Sequence, residues 1–249
     1  MSGIRHESAA PTRRKQLAPG DVIDVHRHDD HQIIYAGSGL VTVTTNRGAW
    51  VAPATRAIWV PAGTWHSHRA HGYVELHLVG LPNTDNPLAL TRPAVLSVGP
   101  LLRELIVAYT QAVGDTPERT RLKGVLLDQI RVAHQQPLHV PTPTAPLLRS
   151  VCALLEDNPA DSRTLAEFGR AVGASERTLS RLFQQDLGMS FPHWRRQVRL
   201  HRALILLAED TTVTTVAYRC GWSSPSAFID VFRRTFGHTP GAHPVLSDG

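Results

Sequence analysis

Histidines in the first third of the chain have the spacing of a binding site. His26 and His28 alternate on a stretch of strand-like composition, Gln32 follows four positions later, and His66 comes just after a Pro-x-Gly turn. Because alternate residues of a strand share one face, side chains from two facing strands can converge inside a barrel. Imidazole nitrogens and a carboxamide would suit a divalent transition metal.

A second interpretation of these histidines stays open, in which they hydrogen-bond within a barrel or line a metal-free pocket that binds a small molecule. Four further histidines crowd the same region and could serve as extra ligands, although we expect most of them at the surface: His31, His68, His71 and His77. Glu75 is the only nearby carboxylate on an obvious strand.

The last hundred residues carry one helix-turn-helix pattern twice. A small residue (Gly169, Ala217) stands four positions before a turn glycine (Gly173, Gly221), and a polar N-cap and an amphipathic helix follow. The small residue lets two helices cross closely, and glycine supplies the backbone freedom of the turn. The second helix of each unit can then present its polar face to a major groove, so the duplication predicts DNA reading.

The outward faces of the two predicted recognition helices carry side chains that suit bases and phosphates. Base contacts are predicted for Arg177, Thr178, Ser180 and Arg181 in the first helix and for Ser226, Ile229 and Asp230 in the second. Phosphate contacts are predicted for Arg195, Arg196, Arg233 and Arg234. A helix of about 18 residues between the units spans ~27 Å, which would hold the two readers roughly one DNA turn apart.

The elements that position these residues fall into two domains, as 249 residues suggest. We expect a flexible arm over 1–17 and a β-barrel over 18–82. Amphipathic helices over 83–136 would cover the barrel or pair across a dimer. A linker over 137–146 and an all-α domain over 147–249 follow. The fold class is therefore α+β and multidomain. The net charge of +5 is spread over both halves and does not locate a DNA-binding face.

The cellular context is also constrained by composition. The two cysteines form no C-x-x-C pair, which predicts a reducing, cytoplasmic context without disulfides. The sequence contains no apolar run long enough to span a bilayer, and no apolar segment follows the first basic residues as in a secretory signal.

The C-terminal domain resembles that of AraC/XylS-type transcription regulators over about 147–245. The matching segments are Gly173–Phe183, Gly188–Phe191, Trp194–Ala203, Val216–Phe228 and Phe236–Pro240. The resemblance implies base contacts by Arg177, Ser180 and Arg181, and by Pro225, Ser226, Ile229 and Asp230. An acidic residue at 230 departs from the basic residue that some members have there.

The N-terminal region resembles the cupin barrels over roughly 18–82. Gly20, His26, His28, Gln32 and Gly39 fit the first cupin motif, with Gln in place of the usual Glu, and Pro61, Gly63 and His66 fit the core of the second. The lost carboxylate should weaken metal affinity and disfavour oxygen-activating chemistry.

These patterns predict a transcription regulator and not an enzyme. A cupin-like sensor would bind a small-molecule or metal effector, and a helical segment would form a homodimer. The tandem readers would bind double-stranded promoter DNA. The protein would engage RNA polymerase if it activates transcription. The alternative is a metal-dependent cupin enzyme, an oxygenase or isomerase, with an accessory helical domain.

Overall fold

The computed structural model describes residues 5–136 and 139–242. The chain divides into two compact units. The first runs through Asn46 and from Trp50 to Leu138, and the second comprises Arg47–Ala49 and the chain from His139 onward. No helix in the described ranges is both long and apolar enough to cross a membrane.

The first half of the chain is mainly β-structure followed by two helices. In chain order its elements are β1 (Arg5–Glu7), β2 (Arg13–Leu17), β3 (Val22–His28), β4 (His31–Thr45), β5 (Gly48–Pro53), β6 (Arg56–Val60), β7 (His66–Leu81), β8 (Ala94–Ser97), α1 (Pro100–Gln111), α2 (Pro117–Val132) and β9 (Gln135–Gln136).

Strand β7 organises the sheet of the first unit. It pairs antiparallel with β4 along most of its length, with β3 near its start and with β2 near its end. Two bulges interrupt β4 around Ser38, beside Gly39. Gly39 has φ +72°, and a Cβ there would lie 2.3 Å from the carbonyl oxygen of Tyr73, so the close strand approach requires glycine.

The helices α1 and α2 pack their apolar faces on this sheet. Leu102, Ile106 and Tyr109 of α1 and Leu126 and Ile130 of α2 join one buried cluster with strand residues. Burial of such side chains is the main favourable contribution to folding. The helices therefore cover the sheet, which is one of the two roles that their periodicity predicts.

The predicted boundaries of the β-region are too narrow at both ends. Residues 13–17, expected in a flexible arm, form β2 on β7, and residues 94–97 form β8 on β6. Four of the five residues of β2 are exposed, so the strand lacks the apolar alternation that sequence reading depends on. Its backbone pairing with β7 provides the order.

The second half of the chain is helical. Its elements are β10 (His139–Pro141), α3 (Pro146–Asp157), α4 (Leu165–Val172), α5 (Glu176–Leu187), α6 (Phe191–Ala208), α7 (Val213–Arg219), α8 (Pro225–Phe236) and a 3₁₀ turn (Pro240–Ala242). Phe168, Phe183 and Trp194 lie at the centre of the core that joins α3 to α6.

The segment predicted as a linker is ordered where it is described. Residues 137 and 138 lie outside the described ranges, and β10 follows them. The carboxylate of Asp186, near the end of α5, accepts hydrogen bonds from the Thr144 hydroxyl at 2.5 Å and from the amides of Thr144 and Ala145 at 2.7 and 2.9 Å. Asp186 thereby caps the start of α3, which has no cap of its own.

Both helix pairs have the local geometry that the repeat predicts. Ser175 and Ser224 cap α5 and α8 through the amides of Thr178 and Ala227. A Cβ at Gly169 would lie 2.4 Å from the carbonyl oxygen of Ala174, so α4 and the turn to α5 can meet only with glycine there. Each second helix thus starts at a defined point and orientation.

Candidate histidine centre and nucleic-acid interface

Three histidines, two from the first cupin-like motif and one from the second, are held in the tautomer that carries its proton on Nδ1. The Nδ1 atoms of His26, His28 and His66 lie 2.7, 3.2 and 2.8 Å from the backbone carbonyl oxygens of Asp24, Asp30 and Thr64. A carbonyl can only accept, so each Nδ1 carries the proton. Each Nε2 therefore presents a lone pair, which is the orientation found in histidine ligands of metals.

The strand register brings two of these rings together with a further one. His26 of β3 stands opposite His66 of β7, and His68 follows on the same face of β7. The ligand atoms of His26, His66 and His68 all lie within 4.8 Å of one another, and all three residues are buried. This triad could hold a metal ion.

His28 and Gln32 border the triad. The His28 ring lies 5.0 Å from that of His66, and its buried Nε2 has no hydrogen-bond partner among the described residues. The Oε1 of Gln32 lies 3.4 Å from Nε2 of His66. Both atoms carry lone pairs, so a cation between them would stabilise this contact, as would rotation of the Gln32 carboxamide, whose Nε2 donor has no partner among the described residues. We call His26, His28, Gln32, His66 and His68 the histidine centre.

Burial favours the neutral imidazole at His28, His66 and His68. Loss of solvation lowers the pKa of His66 from its ordinary 6.5 to about 3, reinforced by His26 and His28. Desolvation likewise lowers the pKa of His28, and it lowers that of His68 well below the ordinary value. Neutral imidazole is the form that binds metals.

The expectation that most of the other histidines lie at the surface is wrong. His31, His68, His71 and His77 are all buried. His77 faces α1, where its Nδ1 lies 2.7 Å from the hydroxyl oxygen of Thr110. The error arises because alternation assigns one face of β7 to solvent, whereas α1 covers part of that face.

Sequence reasoning did not place His68 in the centre. The signal was present, since His68 stands two positions after His66 and so shares its strand face, as His28 does with His26. Glu75 lies elsewhere: its carboxylate pairs with Arg14 at 3.1 Å and faces Nε2 of His77 at 3.6 Å.

The outward face of α5 displays the residues predicted to read bases. Arg177, Ser180 and Arg181 are exposed and line an open polar groove. Residues that complete this groove are Gln184, Gln185 and Ser190. The hydroxyl of Thr178 is 2.8 Å from that of Ser175 and takes part in the helix cap.

The outward face of α8 is internally paired. The carboxylate of Asp230 lies 2.8 Å from Arg234 and 3.5 Å from Arg233. Ser226 is exposed, while Pro225 and Ile229 are partly exposed. Two of its predicted phosphate ligands and one predicted base reader thus contact one another in the absence of DNA.

Arg195 has a packing role, which does not fit its predicted contact with phosphate. Its guanidinium donates to the carbonyl oxygen of Arg163 and lies over the rings of Phe168 and Phe191. Arg196, one position later on α6, is exposed. A guanidinium engaged with two rings and a carbonyl is not available to DNA without repacking.

Comparisons with known proteins agree with both halves of this description. A cupin domain model matches residues 13–80, and a helix-turn-helix domain model matches residues 168–243. The chain is 34% identical over 225 residues to the HTH-type transcriptional regulator NimR of Escherichia coli, an alignment that covers 88% of this chain and 81% of NimR. The chain belongs to the AraC family of helix-turn-helix transcription regulators.

Other relatives match a smaller share of the chain. The HTH-type transcriptional regulator RipA of Corynebacterium glutamicum is 41% identical over 104 residues, which cover 41% of this chain and 31% of RipA. A crystal structure from Chromobacterium violaceum, of a transcriptional regulator with an AraC-type DNA-binding domain, is 32% identical to this chain. The match covers 38% of this chain and 86% of that one, with a TM-score of 0.36.

Family membership confirms the predictions of a cupin domain, of a helix-turn-helix domain and of a regulator in place of an enzyme. The protein is an AraC-family DNA-binding regulator with an N-terminal cupin sensor domain.

Proposed function

We propose that this regulator binds promoter DNA sequence-specifically and that a divalent transition metal bound in the cupin domain controls it. The observation that carries the proposal is the histidine centre, in which the ligand atoms of three buried imidazoles lie within 4.8 Å of one another and the Nε2 atoms of His26 and His66 carry lone pairs. Leaving such groups without a partner is costly in a protein interior, and a metal ion would satisfy them.

The donor set fits a borderline transition metal. His26, His66 and His68 would supply three neutral nitrogens, with His28 and Gln32 adjacent. Imidazole suits Zn²⁺, Cu²⁺, Fe²⁺ and Ni²⁺, whereas Mg²⁺ and Ca²⁺ require oxygen ligands. Bound metal would stabilise the arrangement of β3 and β7 that it ligates.

A small organic effector in the same place is the second candidate, favoured by the burial of the whole centre.

For DNA, the first helix is the principal reader. Arg177, Ser180 and Arg181 would contact base edges from α5, with Thr178 positioned by the cap. The second helix would contribute weaker base contacts and phosphate contacts. The proposed contributors there are Pro225, Ser226, Ile229, Asp230, Arg233 and Arg234, together with Arg196 on α6. The 18 residues of α6 would separate the two readers by ~27 Å.

The same proposal extends to partners. Leu101, Val125 and Val132 are large apolar side chains exposed on α1 and α2, and we propose that these helices form a homodimer. The protein would act in the cytoplasm, where promoter DNA lies, and would contact RNA polymerase if it activates. Sedimentation equilibrium of the wild type and of Val125→Glu tests the dimer, because a buried charge would shift the variant to monomer.

Selection from a random DNA pool tests the regulator as a whole. The purified chain is incubated at fixed salt with no metal or with Ni²⁺, Zn²⁺, Fe²⁺ or Mn²⁺. We expect enrichment of two short elements about one helical turn apart, with a metal-dependent change that His66→Leu abolishes. His193→Gln, an exposed change on α6, is the matched control. An unchanged enrichment with every metal would contradict metal control, and a pool without any enriched element would contradict sequence-specific reading.

A further inference from the structure

The histidine centre holds no negative charge, and this determines what a bound metal requires. Its donors are neutral imidazoles and the carboxamide of Gln32, which stands where the first cupin motif usually has a glutamate. His66 and His68 are each only 1% exposed, so water contributes little to balance a charge placed between them.

The surroundings do not supply the missing charge either. Among the described residues, the side chains that act electrostatically on His66 and His68 are neighbouring histidines and, for His68, Lys15, which is a cation. Asp30 and Glu7 act on His28 at the margin. Both acids are engaged there, because Asp30 accepts from the amide of Ala10 at 3.2 Å and Glu7 pairs with Arg5 at 3.0 Å.

A dication among neutral ligands in a buried site is therefore poorly compensated. A buried charge without an opposite charge beside it is unfavourable, because the protein interior solvates it poorly. Three histidine ligands leave at least one coordination position open, as in sites where a fourth ligand exchanges. An anion in that position would lower the net charge and bind the metal directly.

Building on the proposed metal control, we propose that the cupin domain binds its metal together with a small anionic ligand, such as a carboxylate, and that this pair is the effector. The anion takes the role that the absent carboxylate at position 32 would have. Metal and anion then bind with positive coupling, since each improves the site for the other. Neither component alone would fill the site well.

Cobalt binding to the full-length chain tests this coupling. Co²⁺ is titrated at pH 7 and fixed ionic strength with perchlorate as the only added anion, and binding is followed by the visible absorption of the ion. The titration is repeated with azide and with acetate as probes. We expect the Kd for Co²⁺ to fall at least about tenfold with either anion, with a shifted spectrum that reports entry of a new ligand.

Two variants separate the charge at position 32 from the charge of the whole protein. Gln32→Glu should bind Co²⁺ more tightly by a similar factor without azide, and azide should then add little. Gln111→Glu makes the same change at the exposed end of α1 and should behave as wild type. Far-ultraviolet circular dichroism checks that each variant is folded. If Gln32→Glu does not fold, the wild-type titrations with and without azide or acetate test the coupling by themselves.

The outcomes distinguish this inference from the proposal on which it rests. Tight Co²⁺ binding that neither azide nor acetate changes would contradict the proposed role of the anion. It would leave the proposal of metal control intact. The same conclusion follows if Gln32→Glu binds no more tightly than wild type. Absence of Co²⁺ binding with and without the anions would overturn both.

Discussion

The two units of this regulator hold their functional groups in opposite ways. In the cupin domain the imidazoles are buried, and backbone carbonyls fix the rings of His26, His28 and His66 before any ligand arrives. On α5, Arg177 and Arg181 are exposed, and neither has a side-chain partner among the described residues. The sensor is thus preorganised, whereas the reader keeps rotamer freedom until DNA orders it.

The difference follows from charge. A histidine can be buried because it can lose its proton, and its neutral ring then needs only hydrogen bonds or a metal. An arginine stays charged at any accessible pH, so it must remain in water or find a partner. Arg195 illustrates the second case, since its buried part is covered by two rings and a carbonyl.

The largest expected effect is an acid sensitivity confined to the cupin domain. The unfolded chain takes up protons near pH 6.5, whereas burial holds the pKa of His66 at about 3 and lowers those of His28 and His68. Stability is then complete above pH 6.5 and falls as the pH drops, by about 1.4 kcal/mol per pH unit for His66 down to its folded pKa, with a further loss from His28 and His68. Urea unfolding of the metal-free chain between pH 7.5 and 4.5 measures this slope.

Two substitutions sharpen that measurement. His68→Leu should flatten the slope and raise stability at pH 5, because it removes a ring whose two nitrogens have no hydrogen-bond partner. His193→Gln lies on the exposed surface of α6 and should leave the slope unchanged. Equal slopes for the wild type and His68→Leu would show that the acid sensitivity arises elsewhere.

The next effect concerns the exposed reader. Arg181→Ala should cost ~1–3 kcal/mol of binding to the selected site and relax specificity at one position, as expected for a bidentate contact to guanine. Arg196→Ala on α6 should weaken binding to all sequences alike, because a phosphate contact carries no sequence information. Fluorescence anisotropy with the selected and scrambled duplexes separates the two patterns. A uniform loss for Arg181→Ala would place that arginine on phosphate.

The smallest effect distinguishes α8 from α5. Asp230→Asn removes the negative charge that pairs with Arg233 and Arg234. Both guanidiniums should then bind phosphates more readily, so affinity rises a few-fold on every sequence and the salt dependence steepens by about one ion. Titrations at four salt concentrations provide the slope. Lost preference for one base pair would instead show that Asp230 accepts from a cytosine.

The helical unit could be predicted from sequence almost element by element. Its signals are local: capping residues, glycines at turns, and apolar positions three and four apart. Helix α6, Phe191–Ala208, accordingly has the predicted length of 18 residues. The cupin domain was predictable in type but not in extent. Strand β2 has no apolar pattern of its own, and only its partner β7 defines it.

The same distinction applies to the site residues. The outward position of Arg177 and Arg181 follows from helix periodicity alone. The burial of His77 depends on α1 packing over the sheet, and the pairing of Asp230 with Arg234 depends on rotamers, neither of which a sequence specifies. The position of His68 could have been predicted, because it shares a face of β7 with His66 as His28 shares a face of β3 with His26.

The contact between Asp186 and the residues before α3 sets the shortest fragment that can be studied by itself. A DNA-binding piece that begins at residue 147 would lack the Thr144 and Ala145 donors and would leave the carboxylate at the end of α5 without them. It would also lack Val140, which packs into the helical core. Dissection of the protein should therefore cut before His139, so that the entry segment remains with α5, whose carboxylate it contacts.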